Sequence, residues 1–328
     1  MRIKFAQYGV LHSHAAGKAA VLKANPDVEF CGVYEPDPEA RRTRGAGEAY
    51  AGVHWFGSKE EMLDDASIAA IAVEGAVAQN LGFAREALER GKHVWLDKPA
   101  GDDWAEFQAL IEMARAKGLL VQLGYMFRYN AGFQFILDWA HSGRLGEIFS
   151  VRGRMSTFVD QETRSRLAVH QGGILFELLC HLMDIVVALL GRPDRVTSFL
   201  RNDLGPVPVF RDNTATVFEY PKRMAVLESA SLEVLAFPSR RFEVYGTRGS
   251  AILEPFEPDP VVLRLCLDED RDGYKKGWQT VPVKVQPRYV GSLRALVADI
   301  RGEKQPDRSL DHELTVQETV LRAAGILA

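Results

Sequence analysis

Cysteine is scarce: Cys31, Cys180 and Cys266 are the only three in 328 residues. They are odd in number and far apart, with no CxxC or other metal-ligand spacing. That excludes a disulfide framework and fits a reducing compartment. An excess of one charge is also missing, since 40 Lys and Arg stand against 44 Asp and Glu for a formal net charge of −4. A chain so balanced has no general attraction for nucleic acid or an anionic membrane surface. Long apolar runs are absent. The longest, such as Ile185 to Leu190, fall far short of the roughly 20 residues that span a bilayer. The first residues lack the basic stretch and apolar core of a secretory signal. No internal repeat or low-complexity tract occurs. The expectation is a soluble cytoplasmic protein, 47% hydrophobic and 26% charged. At about 150 residues per domain, its length suggests two domains.

What is present falls into two patterns. Over residues 1–123, strand and helix signals alternate: strands at Ile3–Tyr8, Val28–Tyr34, His54–Phe56, Ile68–Val73, Lys92–Leu96 and Leu119–Leu123. Helices are expected between them. Ser13 should cap the first, Pro38 should open the second, and Ser58 with Glu61 forms a capping box. This alternation predicts a doubly wound parallel sheet, the Rossmann arrangement. Over residues 124–328, helices near Ala131–His141 and Ile174–Leu190 are followed by successive strands. These are Val196–Leu200, Thr214–Tyr220, Ala225–Ala230, Arg241–Tyr245, Ala251–Leu253 and Val261–Leu267, after an earlier one at Phe149–Phe158. Runs of strands predict an α+β domain on a largely antiparallel open sheet. Helices near Tyr289–Arg301 and His312–Leu327 end the chain.

The first strand-to-helix turn reads Tyr8-Gly9-Val10-Leu11-His12-Ser13-His14 and lacks any G-x-G-x-x-G. Gly17-Lys18 is no phosphate loop either, because it falls inside the expected helix and no Ser or Thr follows the lysine. Glu35 ends the second strand, where a carboxylate accepts adenosine ribose hydroxyls and repels a 2′-phosphate. The alternative for Glu35 is a solvated acid before a proline turn. His12 and His14 form an HxH pair, but no further convergent ligand stands out, so no metal site is expected. Asp97-Lys98-Pro99 follows an apolar strand, placing Lys98 on the rim where open α/β sheets bind ligands. Glu177 and His181 are four apart on an otherwise apolar helix. They are either a general base with its carboxylate or a satisfied core pair.

Together these segments resemble the Gfo/Idh/MocA family of oxidoreductases. The resemblance rests on Gly91-Lys92-His93-Val94 running into Asp97-Lys98-Pro99, on Gly124 to Tyr129, on Ser142 to Ile148, on Gly172-Gly173 with Glu177 and His181, and on Tyr245 to Gly249. It implies a hydride transfer between NAD, with NADP less favoured, and a hydroxyl or carbonyl of a sugar, polyol or related small molecule. It assigns catalysis to Lys98, His181 and Glu177. Cofactor contacts would come from Tyr8, Gly9, Val10, Leu11, Ser13, Glu35, Gly75, Asn80 and Lys98, and substrate contacts from Arg128 and His170. With His14 aligned to the histidine that often opens the family's first helix, Ala6, Tyr8 and Leu11 stand where glycines are usual. The competing readings are redox-neutral chemistry with tightly held or no NAD, and a sugar sensor without catalysis. The apolar residues of Val196–Leu200 and Val226–Leu232 point to a homodimer or homotetramer through the second domain's sheet.

Overall fold

The computed structural model describes residues 1–204, 207, 209–284 and 286–328. The chain forms two compact units. The first comprises Met1–Met126 and Pro287–Leu314, the second Phe127–Gln286 and Thr315–Ala328.

In the first unit, β1 (Ile3–Tyr8) leads to α1 (Ala15–Ala24), β2 (Val28–Tyr34), α2 (Pro38–Thr43) and α3 (Lys59–Leu63). There follow β3 (Ala70–Val73), α4 (Val77–Glu89), β4 (His93–Leu96), α5 (Trp104–Lys117) and β5 (Val121–Leu123). The strands are all parallel, in the order β2-β1-β3-β4-β5. β3 reads Ala-Ile-Ala-Val and is wholly buried, as a strand covered by helices on both faces must be. The strand expected at His54–Phe56 shrinks to one parallel bridge, Trp55 to Val33. Ser13 is exposed and caps nothing; α1 starts after His14 with no side-chain cap. Asp37 caps α2 and Ser58 caps α3. The expected return bond of that capping box lands one residue early, with Glu61 accepting from the Gly57 N–H at 2.6 Å. Strand order reverses between β1 and β3, and such a switch point is where open α/β sheets bind ligands.

The second unit opens with α6 (Ala131–His141), β6 (Ile148–Arg154) and α7 (Gln161–Leu167). A π-helical turn (Leu175–Leu179) runs into α8 (Cys180–Leu190). Then come β7 (Arg195–Arg201), β8 (Asn213–Tyr220), β9 (Arg223–Ala230), β10 (Arg241–Gly246), β11 (Gly249–Leu253), β12 (Leu263–Leu267) and β13 (Gly277–Val281). They form one eight-stranded sheet, β13-β12-β11-β10-β6-β9-β8-β7, antiparallel except for β6 beside β9. Val151, Leu227, Phe242 and Val244 are buried on its inner face. Gly153 lets α8 approach, since a Cβ there would stand 3.0 Å from Leu182. Two strand expectations need correction. β6 stops at Arg154, leaving Phe158 with a single bridge to Leu232. β13 carries little apolar alternation and was missed.

Of the last helices, α9 (Val290–Ile300) belongs to the first unit, while α10 (Leu310–Ala323) is shared between the two. The division is therefore discontinuous in sequence, unlike a single boundary at residue 124. Among the described residues, no helix is long and apolar enough to cross a membrane.

Candidate functional site

At the switch point of the first unit, the turn after β1 lies directly on the turn after β3. Gly9 has φ +91°, and a Cβ there would stand 2.5 Å from the Gly75 nitrogen. Only glycine meets both demands. The Val10 N–H donates to Glu35 at 2.7 Å, and the Asp37 N–H donates to its other oxygen at 2.9 Å. Burial pushes the Glu35 carboxyl up against the pull of these two bonds. Glu35 is thus no solvated acid; it ties the first turn to the end of β2, with one lone pair left on each oxygen.

The bulky residues in the turn are drawn into the core. The Tyr8 ring stacks on Phe83 with centroids 3.8 Å apart, and its hydroxyl donates to Glu86 at 2.9 Å. Leu11 packs against the cluster of Val10, Ala19 and Val33. Tyr8 therefore has no free face for a ligand, contrary to the expected cofactor contact. Asn80, in the first turn of α4, is fully buried, and among the described residues neither atom of its amide has a hydrogen-bond partner. Its Oδ1 lies 3.1 Å from where a Gly75 Cβ would be. A buried amide without a partner costs about 1–3 kcal/mol, so this corner is built to receive a polar group. The Gly9 turn, the glycine at 75, Asn80 and the spare lone pairs of Glu35 suit a dinucleotide.

Beside this corner lies a group of five titratable side chains. Lys18, in α1, is fully buried, with its ammonium 2.5 Å from Glu74 and 3.0 Å from Asp97. Glu74 and Asp97 directly follow β3 and β4. Burial lowers the Lys18 ammonium, but Asp97 and Glu74 outweigh it and hold it above the ordinary lysine range. Burial and the neighbouring Asp97 hold Glu74 well above the usual carboxylate range, against the pull of Lys18. Burial also disfavours the Asp97 anion, yet His12, Lys18 and His14 together hold it well below that range. Burial lowers His14 to about 4 despite Asp97 at 3.0 Å.

His12 is turned inward, its Nδ1 3.3 Å from Asp97 and its Nε2 3.1 Å from the Lys98 carbonyl. Lys98 is itself 2% exposed, and its N–H donates to Asp97 at 2.6 Å. The third partner that the HxH pair lacked in the sequence is Asp97, 83 residues beyond His14. His12, His14 and Asp97 offer ligand atoms that all lie within 4.8 Å of one another. Lys18 and Glu74 were also missed. Their signal was a carboxylate directly after each of two buried strands, which requires a cation nearby.

In the second unit, Arg128 is buried and forks onto Asp184 of α8, with N–O distances of 2.7–3.0 Å. That pair holds α8 in place, and the expected substrate contact of Arg128 gives way to it. His181, in the first turn of α8, is 1% exposed and meets the Phe127 ring edge-on at 5.5 Å. Glu177 is partly exposed and lies in the π-helical turn rather than on a regular helix face. π-Bulges are frequent at functional sites. The bulge follows Gly173, whose φ of +52° and contact with the Arg211 backbone exclude a side chain. His170, nearly buried, lies over the Phe176 ring at 5.5 Å.

The strand order and its switch point define a Rossmann-type fold, and the comparisons agree. Residues 8–125 match the model of an oxidoreductase family with an NAD-binding Rossmann fold, and residues 133–252 match the GFO/IDH/MocA C-terminal domain. The chain belongs to the Gfo/Idh/MocA oxidoreductase family. The uncharacterized oxidoreductase YhhX of Escherichia coli is 29% identical over 228 residues, 69% of this chain and 64% of that protein. The dTDP-3,4-didehydro-2,6-dideoxy-alpha-D-glucose 3-reductase of Streptomyces violaceoruber is 26% identical over 179 residues, 51% of each chain. The chain thus spans less than two thirds of these relatives. Among solved structures, a putative NADPH-dependent oxidoreductase from Desulfitobacterium hafniense superposes with a TM-score of 0.86 at 16% identity. That match covers 100% of this chain and 96% of the other, and at such identity it shows the fold alone.

Proposed function

We propose that this protein transfers hydride between a nicotinamide dinucleotide and a hydroxyl or carbonyl carbon of a sugar, polyol or similar small molecule. The observation that carries the reading is the unpartnered Asn80 amide beside the apposed Gly9 and Gly75 turns, next to Lys98. Gly9, Gly75, Asn80 and Glu35 would hold the cofactor. The spare lone pairs of Glu35 suit two ribose hydroxyls and oppose a 2′-phosphate, which favours NAD over NADP. Leu11 and Ser13 contribute backbone N–H groups to the turn, in place of the missing glycines.

A bound nicotinamide supplies the hydride acceptor or donor. Lys98 hydrogen-bonds the reacting oxygen. A ring nitrogen of His181 takes the hydroxyl proton during oxidation and returns it in reduction, while Glu177 holds a neighbouring substrate hydroxyl. His170 lines the substrate side. The sugar-type substrate is supported by the sugar-nucleotide reductase among the relatives. Calorimetric titration with NAD, NADH and NADP tests the reading. Micromolar NAD binding with much weaker NADP binding is the expected result, followed by hydride transfer in a polyol and sugar screen. No binding of any dinucleotide overturns it.

The second unit's sheet also serves as the subunit contact in this proposal. Phe199, Met224 and Trp278, on β7, β9 and β13, are 61%, 45% and 56% exposed. Sedimentation at micromolar concentration should show a dimer or tetramer, and a monodisperse monomer would sink the assignment.

A further inference from the structure

We propose that His12, His14 and Asp97 form a binding site for one divalent transition-metal ion of the zinc class, built between the turn after β1 and the end of β4. The inference is independent of the dinucleotide reading, because it uses the inner side of the turn.

The geometry begins with the HxH spacing at the entrance to α1, which stacks the two rings edge to face with centroids 4.8 Å apart. Both Nδ1 atoms face one carboxylate. His12 Nδ1 is 3.3 Å from Asp97 Oδ2, and His14 Nδ1 is 3.0 Å from Asp97 Oδ1. Ligand atoms bound tetrahedrally to zinc at about 2.0–2.2 Å stand roughly 3.3 Å apart. Two of the three separations already meet that figure. The third, no more than 4.8 Å, is closed by a small rotation of the His14 ring, the one partly exposed ligand, which meets Tyr289 at 5.5 Å.

The protons point the same way. His12 Nε2 lies 3.1 Å from the Lys98 carbonyl, which can only accept, so Nε2 carries the hydrogen. Its Nδ1 accepts the His14 N–H at 3.2 Å and therefore carries none. A bare Nδ1 thus faces the buried Asp97 Oδ2 at 3.3 Å. Two apposed acceptors at this separation are a ready pair of ligand atoms for an ion. A ring N–H given to a backbone carbonyl, which leaves the other nitrogen for an ion, is also how metal-ligating histidines are usually held.

Lys18 is the natural objection, since its ammonium is 3.0 Å from the same Asp97 oxygen. Glu74 answers it. At 2.5 Å from Lys18, Glu74 takes the ammonium as its own partner once an ion occupies Asp97. The Asp97 side chain stays fixed meanwhile by the Lys98 N–H at 2.6 Å. Two imidazoles with one carboxylate are a donor set for zinc, cobalt or ferrous iron rather than for magnesium or calcium.

The test uses Co²⁺ alone as the probe. The 328-residue protein is treated with chelator, titrated with Co²⁺ and followed by its visible d–d absorption, then challenged with Zn²⁺. The protein as purified is assayed for metal by mass spectrometry. The expected result is one Co²⁺ per chain in a low-symmetry four- or five-coordinate spectrum, displaced by one Zn²⁺. His14→Ala should weaken binding on the order of 100-fold, with the metal-free melting temperature little changed because His14 lies at the edge of the cluster. His54→Ala, an exposed histidine elsewhere in the unit, should bind as the wild type does. Absence of stoichiometric uptake by the folded wild type overturns the proposal, as does unchanged affinity in His14→Ala. Dinucleotide titration of the same metal-free sample separates the two readings, because metal and NAD binding can each fail without the other.

Discussion

Each of the two units buries a charged network beside its candidate residues, and the two networks are built on opposite terms. In the second unit, the Arg128 guanidinium forks onto the carboxylate of Asp184. In the first, a single ammonium serves two carboxylates, with two imidazoles around them. The forked pair acts as a clamp on α8. The mismatched group holds Glu74 and Asp97 on opposite sides of the usual carboxylate range, and it keeps acceptors facing each other. Groups whose environments push them apart in this way are characteristic of sites that bind or react.

The largest effect should come from breaking the networks. Lys18→Met and Arg128→Met each leave a buried anion uncompensated, and each should cost about 3–5 kcal/mol in urea unfolding. The double variant Arg128→Met with Asp184→Leu should recover most of that loss. Lys18→Met with Glu74→Gln should recover little, since Asp97 remains. Equal recovery in both would erase the distinction between the networks.

Gly9→Ala comes next. The methyl group would meet Gly75 in a left-handed backbone, and about 1–3 kcal/mol of stability should be lost together with dinucleotide affinity. Unchanged melting would show that the two turns are not locked together. Asn80→Ala should act in the opposite sense. Removing an unpartnered amide leaves thermal stability within about 0.5 kcal/mol or raises it, while NAD binding weakens on the order of tenfold. A large loss of stability would mean that Asn80 is serving the fold.

The smallest effect concerns acid. Burial lowers His93, whose Nδ1 accepts the Leu120 N–H at 3.0 Å. The unfolded chain therefore binds more protons than the folded one below about pH 6.5. Stability from this group is present above that pH and is lost as the pH falls toward its folded value. His93→Gln should flatten that part of a pH-dependent urea series, and an unchanged slope would show that His93 does not carry it.

Much of the fold could be read from the chain. Wholly apolar tetrapeptides such as Ala70–Val73, spaced by helices, admit little but a parallel sheet covered on both sides. Lys98 could be placed because it follows such a strand directly. Its neighbours could not. Tyr8 and Leu11 looked like obstructions in the first turn, yet stacking on Phe83 and packing against Val33 remove them. Arg128 looked like a ligand contact until Asp184, from a helix 56 residues on, took its fork.

The sequence by itself determined the two strand patterns, the family resemblance and the position of Lys98, because periodicity and strand ends are local properties. Only the tertiary structure decided the rest. It brought Asp97 to His12 and His14, buried Lys18 between Glu74 and Asp97, and wound the chain around Glu177 into a π-turn ahead of His181. Parallel sheets join residues that are far apart along the chain, and the pairing of buried charges is settled only when those strands and helices meet. The return of residues 287–314 to the first unit was settled in the same way, by packing that no local pattern encodes.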